Sequence, residues 1–239
     1  MADKSRNLPA ASSPADVAAF IESVRTMPAV RTDERGRLIF AMDATASREP
    51  TWDRACRIQG RMFEATDRLG GLEIQLAYYR GMGEFEASPW CADAANLKRR
   101  MTSVFCLAGE TQIAKVLRHA VAETKRRKVD ALVFVGDCLE EDIDTLCKYA
   151  GELGLLGVPA FLFHEGDDAV ARRGFKQIAR LTNGAYCRFD ANSPDALANL
   201  LRAVAVYAAG GRGALVELGR REGGAAADMA AQIARLPKS

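Results

Sequence analysis

Short apolar runs alternate with helix-like stretches along most of this chain, and that alternation restricts the folds open to it. Residues 38–42, 131–135, 159–164 and 185–189 are largely apolar and bounded by polar residues or glycine, which suits strands buried in a sheet. Between them lie stretches with apolar residues at helical spacing. Repeated strand–helix–strand order argues a parallel sheet with helices on both faces. Residues 72–79 differ: Leu72, Ile74, Leu76 and Tyr78 fall on one face, Glu73 and Gln75 on the other. That pattern fits a less deeply buried strand. Gly81-Met82-Gly83 turns the chain, and residues 84–90 return as an antiparallel edge strand. The expected class is α/β, with a mainly parallel sheet and one antiparallel edge strand.

The intervening helices have identifiable faces and ends. Residues 48–69 read as one helix with Cys56, Ile58, Met62, Phe63 and Leu69 toward the sheet, stopped by Gly70-Gly71. Residues 92–101 form the next, with a basic end. A helix from Gln112 carries Ile113, Val116, Leu117, Ala120 and Val121 and ends in Lys125-Arg126-Arg127-Lys128. That run complements the negative end of a helix; contact with phosphates is the alternative. Glu140, Glu141, Asp142 and Asp144 open a further helix, where acidic residues suit the positive end. A second cation is the alternative there. Residues 170–181 and 194–208 complete the set, the latter with Leu197, Leu200, Leu201 and Val204 as its stripe.

Two flanking regions lie outside this pattern. Ser13-Pro14 opens a helix with Val17, Phe20, Ile21 and Val24 on one side, which packs on the domain or holds a partner. Gly210-Gly211-Arg212-Gly213 breaks the chain before two short helices, at 215–221 and 225–236, which dock back or enter a partner's groove. The expected division is therefore 1–36, a tail and helix; 37–208, the α/β domain; and 209–239, a helical tail.

The chemistry sits at strand ends. The first apolar run leads straight into Asp43-Ala44-Thr45-Ala46-Ser47, and the run at 131–135 leads into Gly136-Asp137. In open α/β sheets the carboxyl edge of the strands is where ligands bind. Asp, Thr and Ser offer only oxygen, which suits Mg²⁺, Mn²⁺ or Ca²⁺ rather than zinc or copper. Gly109-Glu110-Thr111 precedes the helix from Gln112, and glycine there lets backbone approach a ligand closely. A plainer reading makes Thr45, Ser47 and Thr111 helix caps.

The ordered set Asp43-x-Thr45-x-Ser47, then Thr111, then Asp137, resembles the metal-ion-dependent adhesion site of von Willebrand factor A (vWA) domains. That family's pattern is Asp-x-Ser-x-Ser, a distant Thr and a distant Asp. Thr45 replaces the middle Ser and keeps its hydroxyl; Cys138 follows the last Asp, where the family often has Gly. The resemblance spans roughly residues 37–208. It implies a doubly wound, Rossmann-like sheet of order 3-2-1-4-5-6, whose first and fourth strands flank the crevice. It also implies that Asp43, Thr45, Ser47, Thr111 and Asp137 hold Mg²⁺ (or Mn²⁺). The function implied is a protein–protein interaction module in which a partner's acidic residue completes the metal shell. Bacterial cytoplasmic vWA proteins often accompany AAA+ ATPases of the MoxR type, which makes such an ATPase a candidate partner.

A phosphatase-like reading competes. Strand-terminal Asp43 and the later Gly136-Asp137, with Glu141 or Asp142 after it, also resemble the haloacid dehalogenase superfamily, which implies Asp43 as nucleophile toward phosphorus with Mg²⁺ bound. The phosphatases of that family carry a second Asp two residues after the nucleophile, and here that residue is Thr45. A site lysine is also expected, with Lys125 and Lys128 as the candidates.

Composition narrows the setting. A net charge of +2 over 239 residues implies no strong nucleic-acid or membrane field. No apolar run approaches a membrane span, and polar residues 1–6 lack the apolar stretch of a signal peptide. The six cysteines include no Cys-x-x-Cys, and there are only two histidines, which disfavours a zinc site. Reduced thiols in a cytoplasm are the expectation. Cys138, beside the candidate site, is either a small buried residue or redox-sensitive. His164, at a strand end, is either a rim residue or a neutral structural histidine.

Overall fold

In the computed structural model, residues 35–66, 71–189 and 194–221 are described. The expected helices at 14–24 and 225–236, the stop at Gly70 and the turn before residue 35 lie outside them. β1 (Gly36–Asp43) is buried at every residue, as a central parallel strand must be. Its neighbours are β2 (Leu72–Arg80) and β4 (Ala131–Gly136), both parallel to it. β5 (Ala160–Glu165) and β6 (Ala185–Phe189) extend the sheet on one side. β3 (Glu84–Ala87) closes the other side antiparallel to β2. The strand order is 3-2-1-4-5-6, the doubly wound order expected from the sequence.

Side chains of β1 alternate between two cores. Leu38, Phe40 and Met42 face a layer built by α1 (Glu49–Ile58), α2 (Gly60–Thr66), α3 (Ala94–Thr102) and α7 (Pro194–Arg221). Ile39 and Ala41 face α4 (Ile113–Arg126), α5 (Ile143–Leu155) and α6 (Ala169–Leu181). The sheet is thus sandwiched, and its carboxyl edge is left to loops.

Several elements depart from the sequence reading for local reasons. The helix expected over 48–69 is two, parted at Gln59, where Met62 N bonds Gln59 O at 3.1 Å beside the weak helix former Gly60. β3 ends at Ala87 instead of reaching residue 90, because Pro89 has no N–H to continue the ladder. An isolated bridge between Ile74 and Cys91 resumes the pairing. Gln75, expected on the open face of β2, is buried and hydrogen-bonded to His119 at 2.8 Å. α7 runs to Arg221 with a break at Gly211, whose φ of 66° and ψ of −166° lie outside the helical region. Beyond that break Ala214 and Leu218 pack against the first core. The basic run at 125–128 meets the amino edge of the sheet: Arg37 Nη1 donates to Arg127 O and Lys128 O at 2.7 and 3.1 Å.

The loops at the carboxyl edge are clasped together. Leu107 N donates to Ala44 O at 3.0 Å, tying the loop after α3 to the residue following Asp43. Gly109 lies against the β2–β3 turn so closely that a Cβ there would sit 2.1 Å from Gly81 O. Gly109→Ala therefore forces two backbones apart and is expected to destabilise by about 1–3 kcal/mol, the usual range for overpacking. Urea unfolding of the variant checks this, and an unchanged midpoint would show that the loop contact is slack.

Candidate metal centre

β1 and β4 deliver their terminal carboxylates to one crevice because they are neighbours in register, with Met42 opposite Val135. Asp43 is fully buried; Asp137, just past the end of β4, is partly exposed. Backbone and side chain then fix Asp43 from two directions. Thr45 N donates to Oδ1 at 2.7 Å, and the buried Tyr79 hydroxyl donates to Oδ2 at 3.1 Å. Tyr79 reaches it because it is Asp43's register partner on β2.

The two hydroxyls of the Asp43 loop do not cap the helices that follow. Thr45 precedes a 3-10 turn (Ala46–Arg48) without a side-chain cap bond, and Arg48 stands at the N-cap of α1. Instead Thr45 Oγ1 and Ser47 Oγ lie 3.4 Å apart, and Ser47 Oγ donates to Asp137 Oδ2 at 3.2 Å. A continuous polar path thus runs from Asp43 through Thr45 and Ser47 to Asp137. Asp137 Oδ1 is buried without a hydrogen-bond partner among the described residues.

Thr111 is buried and also does not cap its own helix. Its N–H donates to Glu140 Oε2 at 2.9 Å, and its hydroxyl accepts from Glu140 N at 3.0 Å. This two-way latch fastens the loop before α4 to the loop that carries Asp137. The α4 N-terminus is capped from outside: the Glu141 carboxylate accepts from Ile113 N, and from Ala114 N at 2.9 Å. Glu140 and Glu141, expected at the start of the next helix, therefore serve α4 and its loop, while Asp142 caps α5 by accepting from Thr145 N at 2.9 Å. Capping across a loop follows from tertiary proximity and leaves no local sequence signal.

Charges under the site were missed in sequence. Arg48 is buried, with Nη2 2.6 Å from Glu165 Oε2 and Nη1 3.7 Å from Asp137 Oδ2. Thr51 Oγ1 also donates to Glu165. Burial raises the Asp43 carboxyl above the ordinary range; Asp137's charge adds to this, while the Thr45 bonds and Arg48 oppose it. Burial and then the Asp137 charge push the Cys138 thiol up to about 12. Sulfur of Cys138 and one oxygen each of Asp43 and Asp137 lie within 4.8 Å of one another.

His164 takes the structural option. It is fully buried, bonded through Nε2 to Asp137 O at 3.1 Å and through Nδ1 to the Tyr186 hydroxyl at 2.9 Å. It steadies the backbone that carries Asp137. Burial lowers both histidines, His119 and His164, so the folded chain resists their protonation. The unfolded chain takes up those protons near the ordinary histidine value of about 6.5. Stability is therefore complete above that value and falls as pH drops below it, by at most about 1.4 kcal/mol per pH unit for each histidine. Urea midpoints compared across about pH 7.5 to 5.5, a window that brackets the ordinary value, should show the fall. His119→Gln should lessen it.

No protein-family model matches the sequence, and neither does any curated protein. Solved structures do match by shape. The vWF domain of the type V pilus tip protein Mfa5 from Porphyromonas gingivalis superposes with a TM-score of 0.58 at 12% identity, over 75% of this chain and 97% of that one. The SpRpn10 VWA domain gives 0.54 at 13%, over 70% and 94%. Proximal thread matrix protein 1 from the mussel byssus, with a zinc-occupied MIDAS motif, gives 0.56 at 14%, over 72% and 46%. The chain has the vWA fold. In this vWA fold the crevice between β1 and β4 is the switch point of the sheet. No helix among the described residues is long and apolar enough to cross a membrane.

Proposed function

We propose that this vWA-fold chain is a metal-dependent protein-interaction module. Asp43, Thr45, Ser47, Thr111 and Asp137 would hold a divalent cation, Mg²⁺ or Mn²⁺ by the character of these oxygens. The observation that carries the reading is the polar path from Asp43 to Asp137 Oδ2, beside which the other Asp137 oxygen, Oδ1, is buried without a partner among the described residues. An orphaned buried carboxylate oxygen costs free energy unless something positive meets it. A bound cation would offset the repulsion between the carboxylates and offer an open position to a partner's carboxylate. The chain's own residues prepare that position: Tyr79 and Thr45 orient Asp43, Glu140 holds Thr111, and His164 steadies Asp137. Exposed apolar side chains on the loops at this edge, Phe105 at 71% and Met82 at 79%, suit contact with a protein.

The phosphatase-like alternative gains no support from the lysines. Lys125 pairs with Glu152, and Lys128 donates to Leu156 O and Gly157 O at the opposite end of the sheet. Asp43 is also fully enclosed, a poor setting for in-line attack. Calorimetry with Mg²⁺ and Mn²⁺, pull-downs with and without metal, and aryl-phosphate turnover on the same samples test the reading. Metal binding and capture that both need Asp43, without turnover, are expected. Capture indifferent to metal and to Asp43→Ala would sink it. A purified MoxR-type AAA+ ATPase is the first partner to try, in a bacterial cytoplasmic setting.

A further inference from the structure

Besides the two carboxylates, a third ligand-type atom lies in the crevice. Cys138 Sγ joins the Asp43 and Asp137 oxygens in a set whose members are all within 4.8 Å of one another. Bonds from zinc to oxygen and sulfur of about 2.0–2.3 Å place two ligands of one ion no more than about 4.6 Å apart. A rotamer-scale adjustment therefore brings all three atoms onto one cation. Cys138 follows Asp137 on the loop that His164 steadies at Asp137 O. The thiol is half-buried, in the same crevice as the Asp137 oxygen that has no partner. Thr45 and Ser47 add only hard oxygen, which does not distinguish this site from an ordinary Mg²⁺ centre. Sulfur does, because thiolate ligands favour zinc-like ions over Mg²⁺.

We propose that Cys138 is a direct ligand of the cation and turns the site toward Zn²⁺ and Co²⁺ in preference to Mg²⁺. The inference rests on the cation reading given above. On coordination the thiol proton passes to solvent and the sulfur binds as thiolate. Arg48, 3.7 Å from Asp137 Oδ2, offsets part of the added negative charge.

The test uses the full, reduced chain as wild type, Cys138→Ser and Asp43→Asn. Each is titrated with Co²⁺ under absorption spectroscopy and with Zn²⁺ in competition with Mg²⁺. Wild type should show the thiolate-to-cobalt charge-transfer absorption in the near ultraviolet, and Cys138→Ser should lack it. Zn²⁺ affinity should fall by about tenfold or more in Cys138→Ser, as expected for a perturbed metal shell, with Mg²⁺ affinity unchanged. Co²⁺ that needs Asp43 yet gives no such absorption overturns the sulfur ligand and leaves the cation reading standing. The same holds if the absorption survives Cys138→Ser, or if the Zn²⁺ preference over Mg²⁺ is undiminished in it. Metal binding untouched by Asp43→Asn overturns both.

Discussion

Asp43→Asn is expected to remove cation binding and metal-dependent capture while leaving the fold at least as stable as wild type at neutral pH. The first half follows from its place at the head of the polar path toward Asp137. On the proposed cation reading, loss of Asp43 as a ligand should weaken metal affinity by about a hundredfold or more, beyond the outer-shell range. The second half follows from the raised Asp43 carboxyl. A raised folded value means the charged form is disfavoured in the native state. Stability from this group is then present below the unfolded value and lost as pH rises through the folded one. The loss grows as pH rises through the folded value, and Asn removes it. The amide also keeps the local bonds: its oxygen accepts from Thr45 N, and the Tyr79 hydroxyl turns to accept from its nitrogen. Calorimetry and urea unfolding on one preparation check both halves. A variant that unfolds readily would show that Asp43 is structural first.

Arg48→Met is expected to have the largest effect on stability, about 3–5 kcal/mol, the usual cost of stranding a buried charge. Its side chain is 3% exposed and its partner Glu165 11%. Without the guanidinium, Glu165 keeps the Thr51 hydroxyl as its partner among the described residues, and Asp137 loses the positive charge 3.7 Å from its Oδ2. For a chain of this size the loss corresponds to roughly 6–20 °C in Tm. The double variant Arg48→Met with Glu165→Gln should recover much of it, because the amide accepts from Thr51 without a charge to bury. A single-variant loss below about 1 kcal/mol would place this pair with surface ion pairs.

These two residues differ in how far sequence exposed them. Asp43 is legible because it ends an apolar strand and opens a spaced run of hydroxyls. Arg48 adjoins the same run, yet nothing local says that it turns inward toward Glu165, over a hundred positions later. Thr45, Ser47 and Thr111 were legible as oxygen donors but equally as caps. Only the geometry separates those options: the hydroxyls go to one another, to Asp137 and to Glu140, and not to their own helix ends. Glu140 and Glu141 precede α5 in sequence yet serve α4 and its loop, because capping across a loop depends on where two loops meet.

By itself the sequence determined the alternation of strands and helices, the short antiparallel return, and the two carboxylates at strand ends. Those are set by local periodicity, which needs nothing beyond near neighbours in the chain. The resemblance of the motif already implied that Asp43 and Asp137 share one crevice; tertiary structure alone decided that Tyr79, Arg48 and His164 orient it and that the Cys138 sulfur comes within 4.8 Å of an oxygen of each carboxylate. Each of those depends on register between β1, β2, β4 and β5, and register is fixed by packing two cores against a single sheet.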